Sequence, residues 1–203
     1  MFDERFAEFS RERLGGDPVP DDLRVLLLAE WQGRTDFRDL LGVKFMEPGQ
    51  LHPLLDTSYL SAAELADPEM QAVNAGLALM STHVHIVAEI EDRWIGYWAH
   101  PDEPTHRPRP VVMLDTEFSY WLAEGGTLVE ALAVEGAHYA ELDERSAFAR
   151  TAGALAELGL SLSTSELAAY EEPEYIVDPT RFGEELIRAE RVRRGLWIGA
   201  ETS

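Results

Sequence analysis

HVHIVAEIEDRWIGYWAHPDEPTHRPRPVVMLDTEFSYWLAEGGTLVEALAVE, residues 83–135, decides the fold of this 203-residue chain. Val84, Ile86, Ala88 and Ile90 alternate with His83, His85, Val87 and Glu89, and a period of two predicts a half-buried strand. Glu91-Asp92-Arg93 turns the chain, and residues 94–99 return as the partner strand, where Gly96 marks a bulge or a close approach. Residues 100–109 contain three prolines and read as a surface loop. Residues 110–115 and 118–122 predict a second antiparallel pair across the Asp115-Thr116-Glu117 turn. Gly125-Gly126 ends the sheet. Thr127-Leu128-Val129-Glu130 matches a capping box and opens a helix carrying Leu128, Ala131 and Leu132.

Working outward, the preceding residues read as helices laid against that sheet. A first helix over 3–14 carries Phe2, Phe6 and Phe9 on one face and ends at Gly15-Gly16. Pro18 and Pro20 stiffen a connector, and Leu23, Leu26, Leu27 and Trp31 form the stripe of a second helix. Residues 51–59 contain Pro53 and are expected as a short edge strand or extended segment. Ser61 with Glu64 forms another capping box, and Pro68 separates that helix from one over 69–80. From residue 140 onward the pattern is helical only: 142–158, a short piece at 163–170, and a last helix opened by Asp178-Pro179 and carrying Phe182, Leu186 and Ala189. Arg188, Arg191, Arg193 and Arg194 crowd its end, where the helix dipole favours cations.

With 45% hydrophobic and 27% charged residues, the chain buries a real core and is not a disordered polyelectrolyte. It contains no run of 18 apolar residues, and MFDERFAEF has no apolar signal-peptide segment. The absence of cysteine excludes disulfides and thiolate metal sites, and a cytoplasmic location is expected. The net charge of −21 repels nucleic acid and anionic membrane and attracts cationic partners.

Catalytic signatures are missing from the sequence. His83-x-His85, with Glu89 expected on the same strand face, is the weak metal-like pattern; His100, His106 and His138 have no motif spacing. A (β/α) barrel that uses such a pair needs about 250 residues, so His83 and His85 read as exposed side chains and no metal or other cofactor is expected. No G-x-S-x-G, Walker A or Rossmann glycine run occurs, and Asp115 with Glu117 reads as an acidic turn. Trp94 and Trp98 share parity on their strand. Either helices cover them, or they form a protein-binding patch.

The order of elements resembles the SUKH superfamily (Smi/Knr-type proteins). VPDDLRVLLLAEWQG resembles its proline-introduced helix and LHPLLDTSYLSAAEL its strand leading into a short helix. HVHIVAEIEDRWIGYWAHP resembles its hairpin, with Gly96-Tyr97-Trp98 at the family's glycine-aromatic element, and PVVMLDTEFSYWLAEGGTLVEALA its closing segment. Trp31-Gln32-Gly33 stands in place of the family's Asn-Gly, and Leu128 where an aromatic is common. The resemblance covers about residues 1–136. It implies an α+β fold: a mainly antiparallel twisted sheet with helices packed largely on one side, here residues 1–139, with 140–203 as a helical C-terminal extension packed on it. It further implies a non-enzymatic protein-binding module, an immunity protein that neutralises a basic toxin such as a nuclease. The alternative is a regulatory or scaffolding adaptor without a toxin partner. The candidate interface combines the sheet with the 100–109 loop: Trp94, Trp98, Asp102, Glu103, Asp115 and Glu117.

Overall fold

The computed structural model describes residues 2–104, 108–138, 140 and 143–196. His106, Trp197 and the start of the helix expected from residue 142 lie outside the described residues. The fold is α+β, with eight α-helices among the described residues and a five-stranded antiparallel sheet in the order β1-β2-β3-β4-β5. The strands are β1 (Val43–Phe45), β2 (Val84–Ile90), β3 (Arg93–Trp98), β4 (Val111–Leu114) and β5 (Tyr120–Leu122). Each pairs only with its sequence neighbours; short turns connect β2 to β3 and β4 to β5, and residues 99–110 connect β3 to β4.

The half-buried strand expected at 84–90 is buried on both faces, and a bulge is the reason. Ile86 pairs with Gly96 and Ala88 with Ile95, which leaves Val87 as the extra residue. Val84 and Ile86 therefore join Trp98, Val112, Leu114 and Leu122 on one face. Ala88 and Ile90 turn to the other, with Ile95, Tyr97, Val111 and Met113. Gly96 lies opposite the bulge, where a Cβ would fall 2.7 Å from the Ile86 Cα, so no side chain fits.

The larger core lies on the Ile95 face. Helices α1 (Phe2–Arg13), α2 (Asp21–Trp31), α6 (Leu128–His138) and α7 (Glu144–Glu157) supply Phe6, Phe9, Leu23, Leu27, Leu128, Leu132, Phe148 and Leu155 to it. Trp31 packs among Phe2, Phe6 and Phe9, and the Arg5 guanidinium lies 4.1 Å from the Trp31 ring. A buried ion pair, Arg93 to Glu135 at 3.1 Å, fastens β3 to α6.

The opposite face is covered by α5 (Pro68–Met80) and by the C-terminal α8 (Pro179–Arg193). These two helices touch at Gly76, where a Cβ would come within 2.8 Å of the Ile187 Cα. Arg191 reaches back to Glu69 at 2.9 Å, so the arginine-rich end of α8 is bound to α5 as well as to its own Glu190.

Local corrections concern the connectors. Residues 51–59 do not supply a strand. Pro53–Leu55 form a 3₁₀ turn capped by His52, whose Nδ1 accepts from the Leu54 N–H at 3.2 Å. The edge strand is instead β1, which follows α3 (Phe37–Leu41) across the left-handed Gly42. The helix expected at 163–170 is reduced to a 3₁₀ turn, Leu167–Ala169. The capping box of α4 (Ala62–Ala66) is present as expected: the Glu64 carboxylate accepts from the Ser61 N–H at 2.7 Å, and Ser61 Oγ accepts from Glu64. At α6, the Glu130 carboxylate accepts from the Gly126 N–H rather than from the Thr127 N–H, and its second oxygen accepts from the Ser163 N–H. Burial alone would raise the Glu130 carboxyl, but hydrogen bonds from Ser163, Gly126 and Thr127 hold it below the usual carboxylate value.

Candidate functional site

A cavity of about 650 Å³ opens at one end of the sheet, between the α1–α2 connector, the paired strands β2 and β3, the loop after β3 and the start of α6. Its size suits a small ligand or a long side chain. The connector is shaped by its own hydrogen bonds: Ser10 Oγ donates to the Asp17 carbonyl at 2.7 Å and the Gly16 N–H to the Ser10 carbonyl at 2.9 Å. Asp17 then pairs with Arg109, which ties the connector to the loop. Leu14, Pro18, Pro20, Pro104, Pro108 and Leu128 make most of the wall apolar.

The polar members converge from β2, β3, the loop after β3 and α2. His85 on β2 stands directly opposite Tyr97 on β3, so both side chains project from the same face into the wall. Glu103 comes from the loop, and Asp21 and Asp22 from the first turn of α2. Tyr97 and Glu103 are each only 5% exposed. His85 Nδ1, Tyr97 Oη and Glu103 Oε2 are buried and have no hydrogen-bond partner among the described residues. Such an atom costs about 1–3 kcal/mol when nothing satisfies it. Burial pulls the His85 imidazole down to about 4, with Arg109 acting in the same direction, so it is neutral near pH 7. Burial raises the Tyr97 phenol well above its ordinary value and keeps it protonated.

The residues expected at the interface fall into distinct roles. Trp98 is 0% exposed. Its Nε1 donates to the Val177 carbonyl at 3.0 Å, and Phe182 of α8 packs on its ring. The C-terminal helix therefore covers it. Trp94, half-buried, packs against the same cluster. Glu103 uses Oε1 to accept from the Ile176 and Val177 N–H groups at 2.8 and 2.9 Å, which pins the segment entering α8 to the loop. Asp102 is exposed, and its N–H donates to His100 Nδ1 at 3.2 Å. Asp115 closes its turn by accepting from the Glu117 and Ser119 N–H groups at 2.9 Å each, and Glu117 points to solvent.

His83 and His85 are not brought together. His83 precedes β2 and its ring contacts His100 and Phe182, with centroids 5.4 and 5.1 Å away. His85 lies on the cavity face. Glu89, expected beside His85, is turned to the opposite face by the bulge and lies 3.9 Å from Lys44. Among the described residues no group of three His, Asp or Glu side chains is placed to hold a metal ion.

Of the cavity residues, sequence reasoning singled out Glu103 and His85 and missed Tyr97, Asp17, Asp21, Asp22 and Arg109 as parts of one site. The hairpin turn alone would put His85 opposite Trp98; the bulge shifts it to Tyr97, and neither the bulge nor the folding back of the α1–α2 connector leaves a periodic trace. No family model, curated protein sequence or solved structure matches the chain.

Proposed function

We propose that the chain is a non-enzymatic protein-binding module, an immunity-type protein that captures and neutralises a basic toxin, with a nuclease as the class that fits best. The observation that carries this reading is the gathering of carboxylates at the cavity: Asp17, Asp21, Asp22 and Glu103 line it, while Arg109 is already engaged by Asp17. On a chain of net charge −21 this concentrates negative potential at an indented surface, which steers a cationic partner toward it and speeds encounter. A nuclease presents such a cationic face, because its groove must hold phosphates. The resemblance of residues 1–136 to SUKH proteins supports the same reading. On this reading the protein acts in the cytoplasm and needs no cofactor, nucleic acid or membrane.

The test is capture by the tagged full chain, from native lysate and from co-expressed neighbouring open reading frames, at low and high salt. The expected result is a basic partner that salt releases and whose toxicity this chain suppresses. Replacing Asp21 and Asp102 together with asparagine should slow association by about threefold or more at low salt and change little at high salt. Recovery of signalling proteins only, with no toxicity to suppress, would replace this reading with that of a regulatory or scaffolding adaptor.

A further inference from the structure

Five buried side-chain atoms are without a hydrogen-bond partner among the described residues, and three of them belong to the walls of one cavity. Glu30 Oε2 and Tyr120 Oη do not line it; His85 Nδ1, Tyr97 Oη and Glu103 Oε2 belong to residues that do. Native interiors satisfy nearly all their buried polar groups, so a cluster of orphans around an open volume marks groups held ready for something that enters it. A carboxylate oxygen can only accept, a phenol can accept or donate, and the neutral imidazole offers one further lone pair or one N–H. Asp21 and Asp22 add negative charge to the same walls, and the guanidinium of Arg109 is taken by Asp17. The site is therefore built for a donor that carries positive charge.

We propose that this cavity binds a guanidinium group at the end of an apolar stem, with Glu103 Oε2 and Tyr97 Oη as its acceptors, and that in the complex this group is an arginine side chain of the basic partner. The identification names the part of the partner that enters, and it rests on the capture reading above. A guanidinium fits better than an ammonium for two reasons. Its flat fork of donors can serve several acceptors set around it, and it is more weakly hydrated, so less is lost on leaving water. The walls of Leu14, Pro18, Pro20 and Leu128 suit the methylene stem, and the prolines and the Tyr97 ring offer surfaces for the flat group to lie against.

The test uses propylguanidinium as probe, with the neutral isostere propylurea and with propylammonium as controls, measured by calorimetry on the full chain. Propylguanidinium should bind about tenfold or more tightly than propylurea, the ratio expected for a charge-assisted hydrogen bond in a dry site. Glu103→Gln keeps an oxygen for the Ile176 and Val177 N–H groups while it removes the negative charge, and should lower affinity about tenfold. Tyr97→Phe should lower it several-fold, whereas Tyr120→Phe, the same change away from the cavity, should leave it unaltered. Equal binding of the urea and the guanidinium, or indifference to both Glu103→Gln and Tyr97→Phe, overturns the proposal. Two mixed outcomes separate it from the capture reading. A basic partner that is captured while no probe binds, and that propylguanidinium does not displace, sinks the subsite and spares capture. Probe binding with the stated variant pattern, but no basic partner, keeps the guanidinium site and reassigns its occupant to a free small molecule.

Discussion

His85 and Tyr97 face each other across β2 and β3, and each carries a buried polar atom that nothing among the described residues satisfies. In an ordinary core such a pair would be two apolar side chains. The strand register thus places a phenol and an imidazole where packing alone asks for neither, at the wall of the cavity.

Tyr97→Phe should leave the stability of the ligand-free protein unchanged or raise it by up to about 1 kcal/mol, because it removes a hydroxyl without a partner and keeps the ring. Urea unfolding of the two proteins measures this. A loss of more than about 1 kcal/mol would show that the hydroxyl is hydrogen-bonded after all.

Stability should fall as the pH is lowered from about 6.5 toward 4, the interval between the unfolded and folded values of His85. In that interval the unfolded chain takes up a proton on this imidazole and the folded chain does not, so acid favours unfolding. Burial lowers His52 and His83 as well, and both act in the same direction. Denaturation midpoints across this range should slope accordingly, and His85→Gln should flatten the slope by up to about 1 kcal/mol per pH unit.

Trp98→Ala should destabilise the fold by about 3–5 kcal/mol, the range for emptying a large buried aromatic site. Trp98→Phe should cost less but should loosen the segment at Val177, which loses the donor at its carbonyl. Proteolysis or amide exchange at residues 171–178 reads the second effect. A Trp98→Ala protein that folds normally and merely binds its partner less well would place the indole at an interface, against its burial.

Gly76→Ala should weaken the seam between α5 and α8. A methyl group there meets the Ile187 backbone, which cannot swing aside as a side-chain tip can. The expected loss is about 1–3 kcal/mol, the usual cost of overpacking, with increased amide exchange in α8. Ile187→Ala in the same protein does not relieve it, since the nearest contacts include the Ile187 Cα and N.

Much of the architecture was legible because it rests on local signals. The hairpins declared themselves by period and turn, the Ser61–Glu64 box and Asp178-Pro179 by their capping chemistry, and Phe6 with Phe9 by helical spacing. What escaped was non-local. Lys44 to Phe45 become a strand only because Glu89 and Ala88 offer them an edge, in a segment too short to show a pattern. The strand period puts Trp94 and Trp98 on one face, but whether that face is covered depends on α8, which arrives about 80 residues later. The cavity escaped for the same reason: Asp17, Tyr97, Glu103 and Thr127 are distant in sequence and carry no motif.

The extra residue at Val87 has a consequence for how this chain tolerates change. A strand reads its residues two by two, so one inserted position switches the reading frame of everything beyond it. Upstream of Val87 the frame points His85 at the cavity; downstream it points Ala88 and Ile90 at the same side and sends Glu89 to Lys44. Deleting Val87 would leave both frames intact, because Ile86 and Ala88 would then follow one another opposite the adjacent Gly96 and Ile95. His85 would still face the cavity and Glu89 would still face Lys44, in a regular ladder that lacks one fully buried valine and the Val87 carbonyl that accepts from the Met46 N–H at 2.9 Å.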